Sequence, residues 1–251
     1  MNKQSQLALD EWDYLSHQFG LREYGATRPA HSANALDLLN EEMCSDYLDQ
    51  LSVLLQSPSR MITASQFFKR YAALSAVPQL YAMTVYNKGL NLAAENCFLE
   101  PGRSWLEHVG LADMDVVVPE AGERHVWRNR VISAIFAENI GKLIAVMSKV
   151  ANVPKSILWE NVAVRIFSLY EKRIGITGEQ QEQSRADFQY VVHQAPGALF
   201  GEKQNPLSRF YRKSTLTSLS TTPLRVRKTC CFYYEVSSVK EYCTGCPKVK
   251  S

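Results

Sequence analysis

The sequence predicts an α+β fold, predominantly helical, with a small antiparallel sheet covered by helices and a cysteine-bearing segment closing the chain. Three observations carry this expectation. Apolar residues recur at spacings of three and four through most of the chain, the mark of helices with one buried face. Between residues 79 and 118 that period gives way to short alternating runs broken by turn residues. The two kinds of segment are grouped, helices then strands then helices, which argues against the βαβ alternation of a parallel sheet. At 251 residues, 46% hydrophobic and 21% charged, the chain is long enough for a real core, and its composition is far from that of disordered or collagen-like sequences.

Leu36, Leu39, Met43, Tyr47, Leu51, Leu54 and Leu55 mark the apolar face of a first helix over residues 35–56, which Pro58 closes. Residues 64–77 read as a second, with Phe67, Phe68, Tyr71 and Leu74 inward and Pro78 as its stop. Strands are expected at Tyr81, Met83 and Val85, at Leu90 and Leu92, and over residues 116–118, with turns at Asn87-Lys88-Gly89 and Pro101-Gly102. Val131, Ile135, Ile140, Ile144 and Met147 mark a helix of about five turns ended by Asn152-Val153-Pro154. Pro154 suits the first turn of the next helix, whose buried face is Ile157, Leu158, Val162, Ile166, Leu169 and Tyr170. Residues 179–194 are a weaker helix. No repeat or low-complexity segment interrupts the chain.

Several chemistries lack their signatures. There is no Gly-x-Gly-x-x-Gly for a dinucleotide, no Walker loop, no nucleophile elbow and no paired-carboxylate pattern. Gly175-Ile176-Thr177-Gly178 reads as a helix end and turn rather than an RNA-clamping loop. His17, His31, His108, His125 and His193 have no ligand spacing, and Cys44 and Cys97 read as small apolar fillers. The most apolar stretch, residues 131–150, carries Glu138, Lys142 and Lys149, so no membrane span is expected. With no secretory leader pattern and too few cysteines for a disulfide scaffold, the chain reads as cytoplasmic.

Charge and cysteines converge on the C-terminus. Residues 201–251 hold ten Lys or Arg against three Glu, a balance of +7, whereas the first 200 residues balance at −4. Cys230, Cys231, Cys243 and Cys246 lie in the same basic segment as Cys-Cys, eleven residues, then Cys-x-x-Cys. A Cys-x-x-Cys turn directs two thiolates at one metal, with Gly245 supplying a permissive backbone. Four thiolates suit tetrahedral zinc or a 2Fe-2S cluster. The vicinal pair tilts the reading to iron-sulfur, because adjacent side chains on extended backbone point to opposite sides and serve two irons better than one zinc.

Arg225-Val226-Arg227-Lys228-Thr229-Cys230-Cys231-Phe232-Tyr233-Tyr234 followed by Cys243-Thr244-Gly245-Cys246-Pro247 resembles the FhuF-type ferric siderophore reductases. The resemblance extends faintly to Trp159-Glu160-Asn161. It implies that the four cysteines bind one 2Fe-2S cluster. The family's usual gap between the pairs is ten residues and here it is eleven, with the added residue near 237–240. It further implies a 1–200 siderophore-binding body and a 201–251 cluster-binding segment within one compact unit. The implied activity is one-electron reduction of Fe(III) in an imported siderophore, fed by a separate donor protein such as a ferredoxin. Arg209, Arg212, Arg225 and Arg227 are the candidate rim for an anionic hydroxamate or citrate-hydroxamate complex, with Glu235 and Glu241 as possible partners for some of them. Two other classes compete. One is a zinc-stabilised nucleic-acid-binding module using the basic tail and Phe210, Tyr211, Phe232, Tyr233 and Tyr234; the plainer reading of those rings is core packing, and no nucleic-acid partner is expected. The other is a siderophore-binding or assembly protein with a structural metal site.

Overall fold

The computed structural model describes residues 4–24, 29, 32–102, 105–174, 179–217 and 220–249. His31 and the turn at residues 175–178 lie outside the described residues. The chain opens with strand β1 (Gln4–Ser5), helix α1 (Leu9–Phe19), and strands β2 (Leu21–Glu23) and β3 (Ala33–Asn34). Helix α2 (Glu41–Leu55) is started by Asn40, whose side-chain oxygen accepts from the Glu42 and Met43 amides at 3.0 and 3.1 Å. Its core-facing residues are Cys44, Leu48 and Leu51. Met43 and Leu54, expected on that face, are 48% and 66% exposed: the stripe that packs on the core runs through Cys44, Leu48 and Leu51 instead.

Helix α3 (Arg60–Leu74) is buried on almost every side, from Ile62 through Phe68 and on to Leu74. It ends before Ser75, and Pro78 stops nothing. That proline lies in the first turn of α4 (Ala76–Tyr81), where its missing N–H leaves no bond unmade. Tyr81, Met83 and Val85 then continue as a wide helical turn over Ala82–Tyr86, not as a strand. A five-residue alternating run fits either period, and the burial of Ala82, Met83 and Thr84 together selects the helical one.

Strands β4 (Gly89–Leu90), β5 (Cys97–Glu100), β6 (His108–Leu111) and β7 (Val116–Val117) fill the expected strand region. They form two small sheets, ordered β1-β7-β4 and β2-β6-β5-β3. All their pairings are antiparallel except β2 with β6. That pair is parallel because a long connection through the helices separates the two strands in sequence. Cys97 is fully buried at the start of β5.

Helices α5 (Arg124–Ile135) and α6 (Gly141–Val150) are joined by a wide turn over Phe136–Ile140. Together they form a helix of 27 residues, Arg124–Val150, long and apolar enough by length and composition to cross a membrane. Here its apolar residues, including Ile132, Ile135, Phe136, Ile140, Leu143, Ile144 and Met147, are fully buried in the core. Helix α7 (Lys155–Ser168) follows Pro154 and is buried continuously from Ile157 to Ala163. It packs along α3, and the two form the centre of the fold. Helix α8 (Glu179–Gln189), the hairpin β8 (Thr215–Thr217) with β9 (Ser220–Leu224), and the short helix α9 (Tyr233–Val236) complete the chain.

The polar residues buried on the two central helices are Thr63, Ser65 and Gln66 of α3 and Glu160 and Asn161 of α7. Burying a polar group without a partner costs roughly 1–3 kcal/mol. The partners these side chains find lead to the cysteines.

Candidate metal centre in the C-terminal segment

Asn161 joins the two helices, donating from Nδ2 to the Ser65 carbonyl at 2.8 Å and to Ser65 Oγ at 3.0 Å. Ser65 Oγ and Gln66 Nε2 in turn donate to the Cys231 carbonyl at 3.0 and 2.5 Å. Glu160, only 1% exposed, accepts from the Lys228 amide at 2.6 Å, from the Thr229 amide at 2.7 Å and from the Thr229 hydroxyl. Arg227, 6% exposed, donates from Nη2 to Asn161 Oδ1 at 2.6 Å and from Nε to the Thr229 carbonyl at 3.2 Å. Its guanidinium lies 3.9 Å from the Glu160 carboxylate. Every residue from 227 to 231 except Cys230 is thereby hydrogen-bonded to, or through, the middle of α3 and α7. A buried carboxylate with three donors and a nearby cation is satisfied and rigid.

The second cysteine pair is drawn in by backbone. The Arg227 amide donates to the Gly245 carbonyl at 2.9 Å, and the Cys246 amide to the Cys243 carbonyl at 2.9 Å, closing the Cys-x-x-Cys turn. Gly245 is needed for close approach rather than for an unusual φ: a Cβ there would meet the Arg225 carbonyl oxygen at 2.9 Å. The chain between the pairs runs through Phe232, in the left-handed region at φ 59°, and α9, then turns at residues 237–240 with Lys240 at φ 54°. Amide bonds from Ser237 to the Tyr233 carbonyl and from Lys240 to the Ser237 carbonyl, each 3.0 Å, hold that turn.

The thiols meet at the end of this scaffold. Cys231 Sγ lies 3.5 Å from Cys243 Sγ, and the Phe232 amide points at Cys230 Sγ at 3.4 Å. Cys230 also feels the charge of Cys231 and Cys246, and Cys243 that of Cys231 and Cys246, so the four interact as a ring. Cys231 and Cys246 are buried at 1% and 4% exposure, while Cys230 and Cys243 are half-buried. The hydrogen bond from Cys243, the Arg227 guanidinium and the Lys69 ammonium pull the Cys231 thiol down to about 5 against the cost of burial. The same contact drives Cys243 upward. Burial raises Cys230, and burial pushes Cys44 to about 11 and Cys97 to about 12, as expected of apolar fillers.

The donor set suits an iron-sulfur cluster. Tetrahedral metal-thiolate bonds of about 2.3 Å place two sulfurs on one metal about 3.8 Å apart, close to the Cys231–Cys243 spacing. Among the described residues no three His, Cys, Asp or Glu side chains converge on a single point.

Two family models match the chain. One, described as a ferric iron reductase FhuF-like transporter, covers residues 65–218. The other, described as the FhuF 2Fe-2S C-terminal domain, covers residues 227–248. The chain belongs to the FhuF ferric iron reductase family. Its C-terminal domain is that family's 2Fe-2S domain, so the protein's cofactor is a 2Fe-2S cluster. No curated protein sequence matches the chain significantly. Among solved structures, the ATP-bound aerobactin synthetase IucA from a hypervirulent pathotype of Klebsiella pneumoniae is similar with a TM-score of 0.56 at 13% identity, over 79% of this chain and 46% of that one. A second IucA structure from the same source gives 0.56 at 12%, over 81% and 50%. The synthetase IucC from that source gives 0.50 at 14%, over 72% and 36%. The FhuF chain thus spans half or less of these synthetases and shares their fold.

A cleft of about 470 Å³ borders Cys243 and Gly245. Lys69, Arg165, Lys172, Arg225 and Arg227 line it. Only Glu171 and Glu241 oppose them, so the cleft is positive. Lys69 spans it, with its ammonium 3.9 Å from the centre of the Tyr233 ring, and burial lowers its pKa. Of the four arginines read from sequence as a substrate rim, Arg227 is the buried clamp described above. Arg225 makes a two-pronged bond to Glu171 at 2.9 and 3.2 Å, donates to the Arg212 carbonyl at 2.7 Å and stacks on Tyr211. Its partner is therefore Glu171, not Glu235 or Glu241. Arg209 and Arg212 are exposed and lie outside the cleft lining. Sequence reasoning missed Lys69 and Arg165, because both sit on helices whose other residues read as core. Two aromatic residues of the tail pack inward, Phe210 buried and Tyr211 against Phe167, while Tyr234 packs on the exposed Tyr242 at the surface.

Proposed function

We propose that this protein is a cytoplasmic ferric siderophore reductase whose cluster is held by Cys230, Cys231, Cys243 and Cys246. The observation that carries the reading is the position of Cys243 on the wall of the positive cleft, with Cys231 buried 3.5 Å behind it. The cofactor, when bound, supplies a one-electron carrier. The protein's own residues do the rest: α3 and α7 fix the ligand segment, and Lys69, Arg165 and Lys172 present positive charge to an anionic complex next to Cys243. Substrate Fe(III) in hard oxygen ligands takes one electron and becomes Fe(II), for which those ligands have far lower affinity, so reduction is release. No acid, base or nucleophile is required, in accord with the absence of those motifs from the sequence. With no dinucleotide fingerprint, the electron comes from a separate donor protein such as a ferredoxin.

The test is anaerobic. Purified protein should contain two iron and two sulfide per chain, on the order of a 2Fe-2S stoichiometry. After reduction it should transfer its electron to a ferric siderophore in a stopped-flow mixing experiment, with Fe(II) captured by a ferrous chelator. NADH or NADPH alone should leave it oxidised. Zinc in place of iron, or a reduced cluster inert towards every ferric siderophore offered, would overturn the reading.

A further inference from the structure

A second cleft, of about 480 Å³, opens on the other side of α7. Arg22 of β2, Arg70 of α3, Arg165 of α7 and Arg173, just beyond α7, all line it. Their hydrogen bonds go to neutral groups. Arg22 donates to Ser16 Oγ at 3.0 Å, Arg70 to the Leu106 carbonyl at 2.8 Å, Arg165 to the Lys69 carbonyl at 2.9 Å and Arg173 to the Gln18 carbonyl at 3.3 Å. Among the described residues none of the four has a carboxylate within ion-pair distance, whereas the exposed Arg60 and the half-buried Arg225 both do. Arg70, Arg173 and Arg227 crowd Arg165 with like charge. The fold has gathered four guanidiniums in a concavity whose lining holds one carboxylate, Glu107, so positive charge is in excess there and a bound anion would offset it.

We infer that this cleft binds a small polycarboxylate of the citrate type. The four guanidiniums come from β2, α3 and the stretch of chain from α7 to Arg173, a spread that suits several carboxylates on one molecule better than a single phosphate group. Planar guanidinium forks match carboxylate oxygens two at a time. A cavity of this size is that of a small-molecule site. Arg165 and Ser168 line both clefts, so a polycarboxylate here is the immediate neighbour of whatever occupies the cleft beside Cys243.

The inference is independent of the reductase reading, and calorimetry on the cluster-bearing protein tests it. Iron-free citrate should bind, with acetate and inorganic phosphate weaker by at least about tenfold. Arg22 and Arg173 are exposed, so the double variant Arg22→Gln/Arg173→Gln should keep the visible spectrum of the cluster yet weaken citrate by at least about tenfold. Lys142→Gln, on the remote face of α6, should leave binding unchanged. Competition then names the source: displacement of citrate by a ferric citrate-hydroxamate but not by a ferric trihydroxamate assigns the site to the siderophore's own carboxylates, and displacement by neither assigns it to the free chelator. Absence of citrate binding, phosphate binding as tight as citrate, or full affinity in the double variant would overturn the inference. So would a cleft that responds only to an acidic protein. A variant that loses citrate but still reduces a trihydroxamate complex would separate this site from the reductase chemistry.

Discussion

Replacing Glu160 by Gln should detach the cluster segment from the body before the body itself unfolds. Glu160 accepts two backbone amides and a hydroxyl from residues 228 and 229 and faces Arg227 at 3.9 Å. Glutamine keeps the size but turns an NH2 towards donors and leaves the buried Arg227 without its anion. Hydrogen bonds to a charged group contribute about 1.5–3 kcal/mol each, and removing one partner of a buried ion pair costs about 3–5 kcal/mol. These contributions overlap, so about 3–5 kcal/mol is expected for the site, which makes local opening of the segment roughly 10²- to 10⁴-fold more frequent. The assay follows visible cluster absorbance and far-ultraviolet circular dichroism through one urea series under anaerobic conditions. In the parent protein the two signals should be lost together. In Glu160→Gln, bleaching should come at distinctly lower urea while the helical signal persists. Asp49→Asn, which removes the exposed ion pair with Arg60, should leave both midpoints in place, since solvent screens such a pair. If bleaching in Glu160→Gln coincides with that of the parent, the buried carboxylate is not what anchors the ligands.

Serine at any one of positions 230, 231, 243 or 246 should bleach or labilise the cluster, whereas serine at 44 or 97 should not. In the native protein at pH 8, Cys44 and Cys97 should resist iodoacetamide, since burial holds both thiols protonated at that pH. Gly245→Ala should destabilise the cluster by about 1–3 kcal/mol, read as faster loss to an iron chelator, because the new methyl pushes against the Arg225 carbonyl. The second-order rate of reduction should fall as salt rises and should be higher for anionic than for cationic ferric complexes, since the cleft carries excess positive charge and screening at 0.15 M confines its pull to about 8 Å. A rate indifferent to both would show that the positive residues serve the cluster or the donor protein alone.

What the sequence revealed depended on how local its signal was. The four cysteines stood out because two rare spacings fell within 17 residues, and the helices from residue 124 onward because their apolar periods are long. The strand expected at Tyr81 to Val85 failed because five residues cannot separate a period of 2 from one of 3.6. Pro78 misled because a proline marks a helix start as readily as a stop. The parallel pairing of β2 with β6 depends on residues nearly ninety positions apart and leaves no local trace. Glu160 and Asn161 were visible only through the resemblance of Trp159-Glu160-Asn161. Nothing in their own neighbourhood says that a carboxylate and an amide in the middle of an apolar helix are waiting for residues 227–229.

The distribution of charge along the chain differs from its distribution in the fold. Counted by segment, the tail is +7 and the body −4, so an anion site seemed to belong to the tail. The fold spends the tail's best candidates on structure: Arg227 on Asn161 and Glu160, Arg225 on Glu171. The acidic body meanwhile assembles Arg22, Lys69, Arg70, Arg165 and Arg173 from distant segments along α3 and α7, the two helices that hold the cysteines. Arginine spent inside the protein still contributes to the field around the cluster, since Arg227 acts on Cys231 and Cys243, but its bonds from Nε and Nη2 go to protein acceptors. Two roles that the sequence seemed to unite in one basic tail are therefore divided. The tail's guanidiniums fix and bias the ligand segment, and those of the body face the clefts on either side of α7, where an incoming anion can reach them.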